Sequence, residues 1–324
     1  MIKIDHKWYY YWLGCALGGI LLGITIVYFF PEPTDLTSLA LPQESPALSL
    51  PIASPQPQNV TVLFTGDVML GRSVGYNIAV SQDPKWPFAS VASVMQEADI
   101  TYINLENPLT VGCPLTQTGM TFCSETTNVA GLVDAGVDIA SLANNHTTNY
   151  GPGGLATTIT MLSSNGISPV GVGAPVRLTR HGQVFTFLSF NDIGPYPGID
   201  NVDPASLAGK IRQTKVDGEV LIVTFHWGHE YNATSSQRQT ALAHQAIDAG
   251  ADLIVGSHPH WVQTKEIYQG KPIYYSLGNF VFDQEWSRET KRGLVVRFTY
   301  QGTNLVDTQE LPILIENYGQ PRFQ

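Results

Sequence analysis

Charge is scarce in this sequence, and positive charge is scarcer than negative. Charged residues make up 14% of its 324 positions, 17 Lys and Arg against 27 Asp and Glu, for a formal net charge of −10. That balance offers no basic surface to a phosphate backbone, which excludes nucleic acid as a partner. Cysteine is scarce too: the chain has 3, none in a C-x-x-C spacing, which argues against a thiolate metal site. No segment recurs at a fixed period, so solenoids and propellers are set aside. From Tyr9 to Phe30 charge is missing altogether.

That uncharged run would span roughly 33 Å as a helix, enough to cross a bilayer core of about 30 Å. Lys3 and Lys7 precede it and Pro31 ends it, with aromatic residues at both ends where interfacial belts would lie. The expectation is a cytoplasmic N-terminus at residues 1–8, a single-pass cell-membrane anchor at 9–30, and an extracytoplasmic remainder. A cleaved signal peptide is the alternative, but the run is longer than usual and no small-x-small site closes it. Lipidation of Cys15 is a further alternative, opposed by the uncharged residues that continue beyond it. Residues 31–58 carry seven prolines and no apolar periodicity, the composition of a semi-rigid tether.

Residues 59–324 alternate strand-like runs with helical ones, which predicts a mostly parallel sheet. Helices are expected over 88–98, 128–135, 155–164 and 236–249, several followed by glycine, the usual residue just past a helix end. Toward the C-terminus, 273–276 and 293–300 read as antiparallel strands. This order fits a two-sheet, four-layer α/β/β/α sandwich better than one doubly wound sheet. Cys113 and Cys123 lie in a Thr/Gly-rich loop, where a disulfide or two free thiols are the open readings.

Five of the strand-like runs end in residues able to hold a metal. VTVLF leads to Asp67, ITYIN to Glu106, DIASLA to Asn145-His146, VLIVTF to His226 and LIVG to His258-Pro259-His260. Ligands of open α/β sheets bind outside the carboxyl ends of strands, so these ends would converge on one crevice. The pair at 258 and 260 is the strongest single signal, because i, i+2 imidazoles share one side of extended backbone and the proline limits their freedom.

The segments GDVMLGR, NLENPLT, ANNHTTNYG, HWGHEY, GADLIVGSHPHWVQ and KPIYYSLGNFVFD resemble, in order, the calcineurin-like metallophosphoesterase superfamily. More closely, they are similar to its poly-γ-glutamate capsule synthesis (CapA-type) family. The resemblance implies Asp67 and His260 as ligands of one ion, Asn145, His226 and His258 as ligands of a second, and Glu106 as the bridge. One or two divalent ions (manganese, iron or zinc) would be the cofactors. His146 would be the catalytic second-sphere histidine. Arg72 would hold an anionic substrate, with a surface salt bridge as the other reading. Hydrolytic members of the superfamily keep histidine where this chain has Met69, and aspartate where it has Glu106. Asn149 replaces an aspartate in the pattern around His146. His229 is either a partner of the ligands or a solvated loop residue, while His6, His181 and His244 read as structural or exposed.

The implied function is a membrane-anchored protein that assists synthesis, export or anchoring of a poly-γ-glutamate-like capsule polymer. Its partners would be the membrane, an anionic polymer or phosphate-containing substrate, and other membrane subunits of a capsule synthesis complex. The alternatives are an extracytoplasmic phosphoesterase acting on an unrelated ester, and a metal-free scaffold.

Overall fold

The computed structural model describes residues 58–324. The expected cytoplasmic N-terminus (1–8), anchor (9–30), and residues 31–57 of the tether lie outside the described residues. Among the described residues, no helix is long and apolar enough to cross a membrane.

The chain runs β1 (Asn59–Val68), α1 (Arg72–Ser81), α2 (Ala92–Gln96), β2 (Ile100–Leu105), α3 (Val129–Asp134), β3 (Ile139–Ser141) and α4 (Gly151–Ser164). It continues through β4 (Ser168–Val170), β5 (Val176–Arg180), β6 (Gln183–Asn191), α5 (Pro204–Thr214), β7 (Glu219–His226), α6 (Gln237–Asp248) and β8 (Leu253–Ser257). The last strands are β9 (Lys265–Tyr268), β10 (Lys271–Tyr274), β11 (Asn279–Val281), β12 (Arg292–Gln301), β13 (Asn304–Glu316) and β14 (Gln320–Phe323).

Two mixed sheets result. The first has the order β14-β13-β12-β1-β2-β3-β4, with β11 pairing β1. The second has the order β5-β6-β7-β8-β10-β9. Three apolar layers hold them. Val60, Val62 and Phe64 of β1 meet Phe185, Phe187 and Ile222 of the second sheet in the central layer. Val74, Ile78, Leu132 and Leu162 pack helices α1, α3 and α4 on the outer face of the first sheet. Leu207 and Ile211 of α5 and Leu242 and Ile247 of α6 cover the second. Three cores between four layers give the expected α/β/β/α order.

Strand alternation explains this sorting up to one break in β1. There Val60, Val62 and Phe64 face the second sheet, and strict period two would send Val68 to that side as well. The pairing of β1 with β2 shifts register between Phe64 and Asp67. Val68 consequently joins the helix-side core. The shift is possible because residue 66 is glycine: a Cβ there would lie 2.2 Å from the Gly278 carbonyl oxygen. Asp67 N–H donates to that carbonyl at 2.9 Å.

Some local expectations are corrected. The helix expected over 88–98 is a single 3-10 turn at Trp86–Phe88 followed by the short α2, and the one over 128–135 begins as a 3-10 turn at Thr126–Asn128. Helices α1 and α5 have no counterpart among the expected ones. α1 starts at Arg72 inside the glycine-rich motif, and α5 starts at Pro204 behind Asp203, whose carboxylate caps Ala205 N–H. Cys113 and Cys123 form a disulfide, which selects between the two open readings of that loop.

Candidate metal centre

The sequence-predicted ligands meet at or beyond the ends of β1, β2, β3, β7 and β8. Asp67, Glu106 and His226 form a buried group whose ligand atoms all lie within 4.8 Å of one another. Asn104, one pleat before Glu106, ties them together. Its amide donates to Asp67 Oδ1 at 2.9 Å and Glu106 Oε1 at 3.1 Å, and lies 3.3 Å from His226 Nδ1. His226 Nε2 sits 2.8 Å from Asn145 Oδ1. The amide oxygen only accepts, so Nε2 carries the proton and Nδ1 the lone pair.

His258 and His260 stand on the loop after β8. His258 N–H reaches Asp67 Oδ2 at 3.3 Å, and the rings of His226 and His258 are 4.8 Å apart. His260 Nδ1 donates to Asn279 Oδ1 at 2.9 Å and lies 3.3 Å from Asp67 Oδ2, leaving Nε2 with its lone pair. This placement strains the backbone. His258 has φ of 97° and His260 of 59°, with Tyr231 at 59° donating its N–H to the Pro259 carbonyl between them. Such conformations cost of order 1–3 kcal/mol each and persist where the surroundings enforce them.

The electrostatics of the group point to a cation. Burial pushes the Glu106 carboxyl well above its usual range, and the neighbouring Asp67 and Glu230 push the same way. Burial and the other imidazoles drive His226 well below its ordinary value and His258 down to about 3. The imidazoles are therefore neutral and cannot balance the carboxylates. Glu106 Oε2 and His258 Nδ1 are buried and have no hydrogen-bond partner. Two adjacent carboxylates, neutral imidazoles and orphaned acceptors fit a divalent cation, and the O/N donor set suits manganese, iron or zinc.

The His146 ring stands beside this group, while its backbone N–H joins the network through Asn144 Oδ1 at 3.1 Å, whose amide donates to Asn104 Oδ1 at 3.2 Å. The ring stacks on Phe122 at 4.0 Å, and Phe122 reaches Phe282, which packs against His260 at 4.8 Å. His146 Nδ1 donates to Asn149 Oδ1 at 3.1 Å, and the same oxygen accepts Phe122 N–H at 2.7 Å. Asn149 thus takes the orienting role of the missing aspartate without its charge. Burial brings His146 down to about 4. Met69 is fully buried, and its sulfur accepts Gly71 N–H at 3.0 Å.

Arg72 is committed elsewhere. Its guanidinium pairs with Asp283 and lies 4.6 Å over the Phe122 ring, both members of the ion pair being buried. Asp283 also accepts Ser73 N–H at 3.1 Å, at the start of α1. The geometry therefore favours a salt bridge for Arg72, but a buried one and not the surface pair expected. His229 is exposed, as the solvated-loop reading has it. His181 pairs with Asp99, and His244 with Glu266; His6 lies outside the described residues.

Sequence reasoning missed Asn104, Asn279 and Asp283. Asn104 had a signal, since a residue two before Glu106 on a strand shares its face. Asn279 and Asp283 had only their place within the KPIYYSLGNFVFD segment.

Comparison with known proteins places the chain by sequence and by fold. The sequence profile of the family described as "Bacterial capsule synthesis protein PGA_cap" matches residues 61–284, which contain every candidate ligand. The chain is 32% identical over 250 residues to "PGA biosynthesis protein CapA" of Bacillus subtilis (strain 168), covering 72% of this chain and 66% of that protein. It is 31% identical over 297 residues to "Capsule biosynthesis protein CapA" of Bacillus anthracis, covering 84% of this chain and 71% of that one. The chain thus spans about two thirds of these relatives. A crystal structure described as a novel phosphatase from Mycoplasma pneumoniae shares the fold, with a TM-score of 0.55 at 16% identity, over 82% of this chain and 95% of that one. A hypothetical protein from Thermus thermophilus has a TM-score of 0.51 at 17% identity, over 78% of this chain and 98% of that one.

Proposed function

The chain belongs to the bacterial capsule synthesis protein family, PGA_cap, and from that premise we propose that it assists synthesis, export or anchoring of a capsule polymer. The polymer is poly-γ-glutamate or a similar polyanion, in keeping with the names of the two Bacillus relatives. The observation that carries the reading is the buried Asp67–Glu106–His226 group with its orphaned Glu106 oxygen, inside the family-matching segment.

Asp67, Glu106 and His226 would hold the cation, with Asn145, His258 and His260 completing its surroundings. When bound, it supplies Lewis acidity and a counter-charge that an acidic chain otherwise lacks before a polyanion. His146 keeps Nδ1–H on Asn149, so Nε2 is the atom that takes up a proton. At neutral pH it acts as an acceptor, because burial keeps the ring unprotonated. Phe122 shields one ring face from water.

A phosphoesterase acting on an unrelated ester is the second reading. The Asn145-His146 pair favours it, and Met69, its sulfur turned to a backbone N–H, opposes it. The proposal also places the chain at the cell membrane through residues 9–30, supported by the absence of charge there. Protease added to intact spheroplasts should then digest residues 58–324, and full protection would refute that topology.

The functional test is genetic. Deleting the gene in its host should abolish surface polymer, and the wild-type chain should restore it. A Glu106→Ala, His260→Ala double variant should fail to do so while accumulating to normal levels. Unchanged polymer in the complete deletion would overturn the proposal. Turnover of a generic phosphodiester by the metal-loaded chain, with polymer unaffected, would favour the second reading.

A further inference from the structure

With Arg72 sequestered, an anion contact would have to come from another wall of the site. A cavity of about 390 Å3 shares His258 with the candidate metal centre, and Arg238, Glu230 and His229 also line it. A second hollow of about 250 Å3 also includes Asp192, Ile193 and Arg238 in its walls, so the two meet at the guanidinium. Among the described residues lining either hollow, Arg238 is the sole Lys or Arg.

The guanidinium is held as a reader would be held. Asp192, at the end of β6, takes its side edge: Nε donates to Oδ2 at 2.7 Å and Nη2 to Oδ1 at 2.6 Å. The Asp192 side chain is 6% exposed, whereas that of Arg238 is 57% exposed. Five N–H donors make up the guanidinium, and the side edge uses two. The end edge, formed by Nη1 and the second Nη2 hydrogen, faces no protein acceptor among the described residues and has the spacing of a carboxylate.

Stability accounts for the side edge, which neutralises the buried Asp192, but not for the end edge. Arg238 lies in the first turn of α6, between Ser236 and Gln239, which close a capping box. A cation at a helix N-terminus opposes the helix dipole. The capping box fixes the turn without any help from the arginine, and the exposed end edge contributes nothing to folding.

We propose that Arg238 is the specificity-determining residue of this site and binds, end-on, a free carboxylate of a γ-linked glutamate chain. The inference rests on the capsule-polymer reading and names the group of the polymer that the protein recognises. Charge balance selects the ligand. Asp192 already neutralises Arg238 and Glu230 adds a negative charge, so a singly charged carboxylate meets less repulsion here than a doubly charged phosphate. The polymer's carboxylates would then lie along the groove, with one backbone segment brought to His258.

The test is titration calorimetry of the full-length, metal-loaded chain with a γ-linked glutamate pentamer, its α-carboxyl-amidated counterpart, and inorganic phosphate. Wild type should bind the pentamer and lose it on amidation. Arg238→Gln should weaken the pentamer by about 10- to 100-fold, the range of one charge-assisted contact, and leave phosphate affinity unchanged. Arg238→Lys, which keeps the charge but not the fork, should recover only part of the loss. Because Arg238→Gln strands the buried Asp192, the Asp192→Asn, Arg238→Gln double variant serves as a charge-balanced check and should show the same loss. Equal pentamer affinity in wild type and both glutamine variants overturns the assignment to Arg238. Loss of phosphate rather than pentamer binding overturns the carboxylate. Failure of the wild type to bind the pentamer at all overturns the polymer reading itself.

Discussion

Replacing Glu106 by glutamine perturbs the candidate metal centre in opposite directions with and without the ion. The Asp67 and Glu106 ligand atoms lie within 4.8 Å of one another. Two full charges at that separation repel by at least about 3.5 kcal/mol at an effective dielectric near 20. Without metal, the folded protein avoids this repulsion by keeping a proton on Glu106, whose folded affinity for it exceeds the unfolded one. A carboxyl raised in the folded state contributes stability that is full below the unfolded value, near 4.5, and is lost as pH rises through the folded one. The Glu106 proton should therefore contribute a loss of up to ~1.4 kcal/mol per pH unit above about 4.5 in the chelator-treated wild type, opposed below about 6.5 by the depressed imidazoles, so the difference between variant and wild type is what reports it. Glu106→Gln should flatten that slope. With metal at a hundredfold excess over Kd, the wild type should gain about 2.7 kcal/mol. That corresponds to a rise of roughly 5–10 °C in Tm for a domain of this size. Glu106→Gln should lose most of this rise. Thermal unfolding followed by circular dichroism, in chelator and in manganese or zinc across pH 5 to 8, measures both effects. A variant that keeps the full metal-induced rise would refute the role given to Glu106, and an unchanged pH slope would refute the buried-carboxylate argument.

Asn149→Asp should raise His146 above its value of about 4, because a carboxylate on Nδ1–H favours the imidazolium. Ring-proton NMR titration measures it, and an unmoved midpoint would show that Asn149 does not orient the ring. In the wild type the depressed His146 value makes a contribution to stability that is present above about 6.5 and lost as pH falls toward 4. Arg72→Ala should cost about 3–5 kcal/mol by stranding the buried Asp283. Denaturant unfolding should show that loss, while pentamer affinity in the molecules still folded stays near wild type; lost binding without lost stability would restore Arg72 as the substrate residue. Replacing Cys113 and Cys123 together by serine should cost ~3 kcal/mol, the chain-entropy value for a loop closed across a sequence separation of 10. It should also free Phe122 from the His146 ring, read as an altered His146 chemical shift; an unchanged shift would mean that the loop holds Phe122 without the bridge.

The strand ends were legible because their chemistry is local. A run of buried-strand residues stopping at Asp67, Glu106 or His226 shows both the element and its ligand in a few consecutive positions, and the motif order supplied the family. The helices were legible where apolar spacing and a following glycine agreed, as for α4 and α6. α1 was hidden because its first residue, Arg72, belongs to a glycine-rich motif that reads as a turn. α5 was hidden behind a proline that marks a helix start as readily as a break.

By itself, the sequence determined the candidate donors, the layer order and the lack of a basic surface, since these follow from residue type, period and composition. The tertiary structure decided what the donors share and what the arginines do. Asn104 joins Asp67, Glu106 and His226 only because the fold brings the end of β7 against the ends of β1 and β2. Arg72 is committed to Asp283, 211 residues away, while Arg238 is held by Asp192 with one edge exposed. A guanidinium looks the same in any sequence; whether its donors are consumed or offered depends on which carboxylate the fold brings to it.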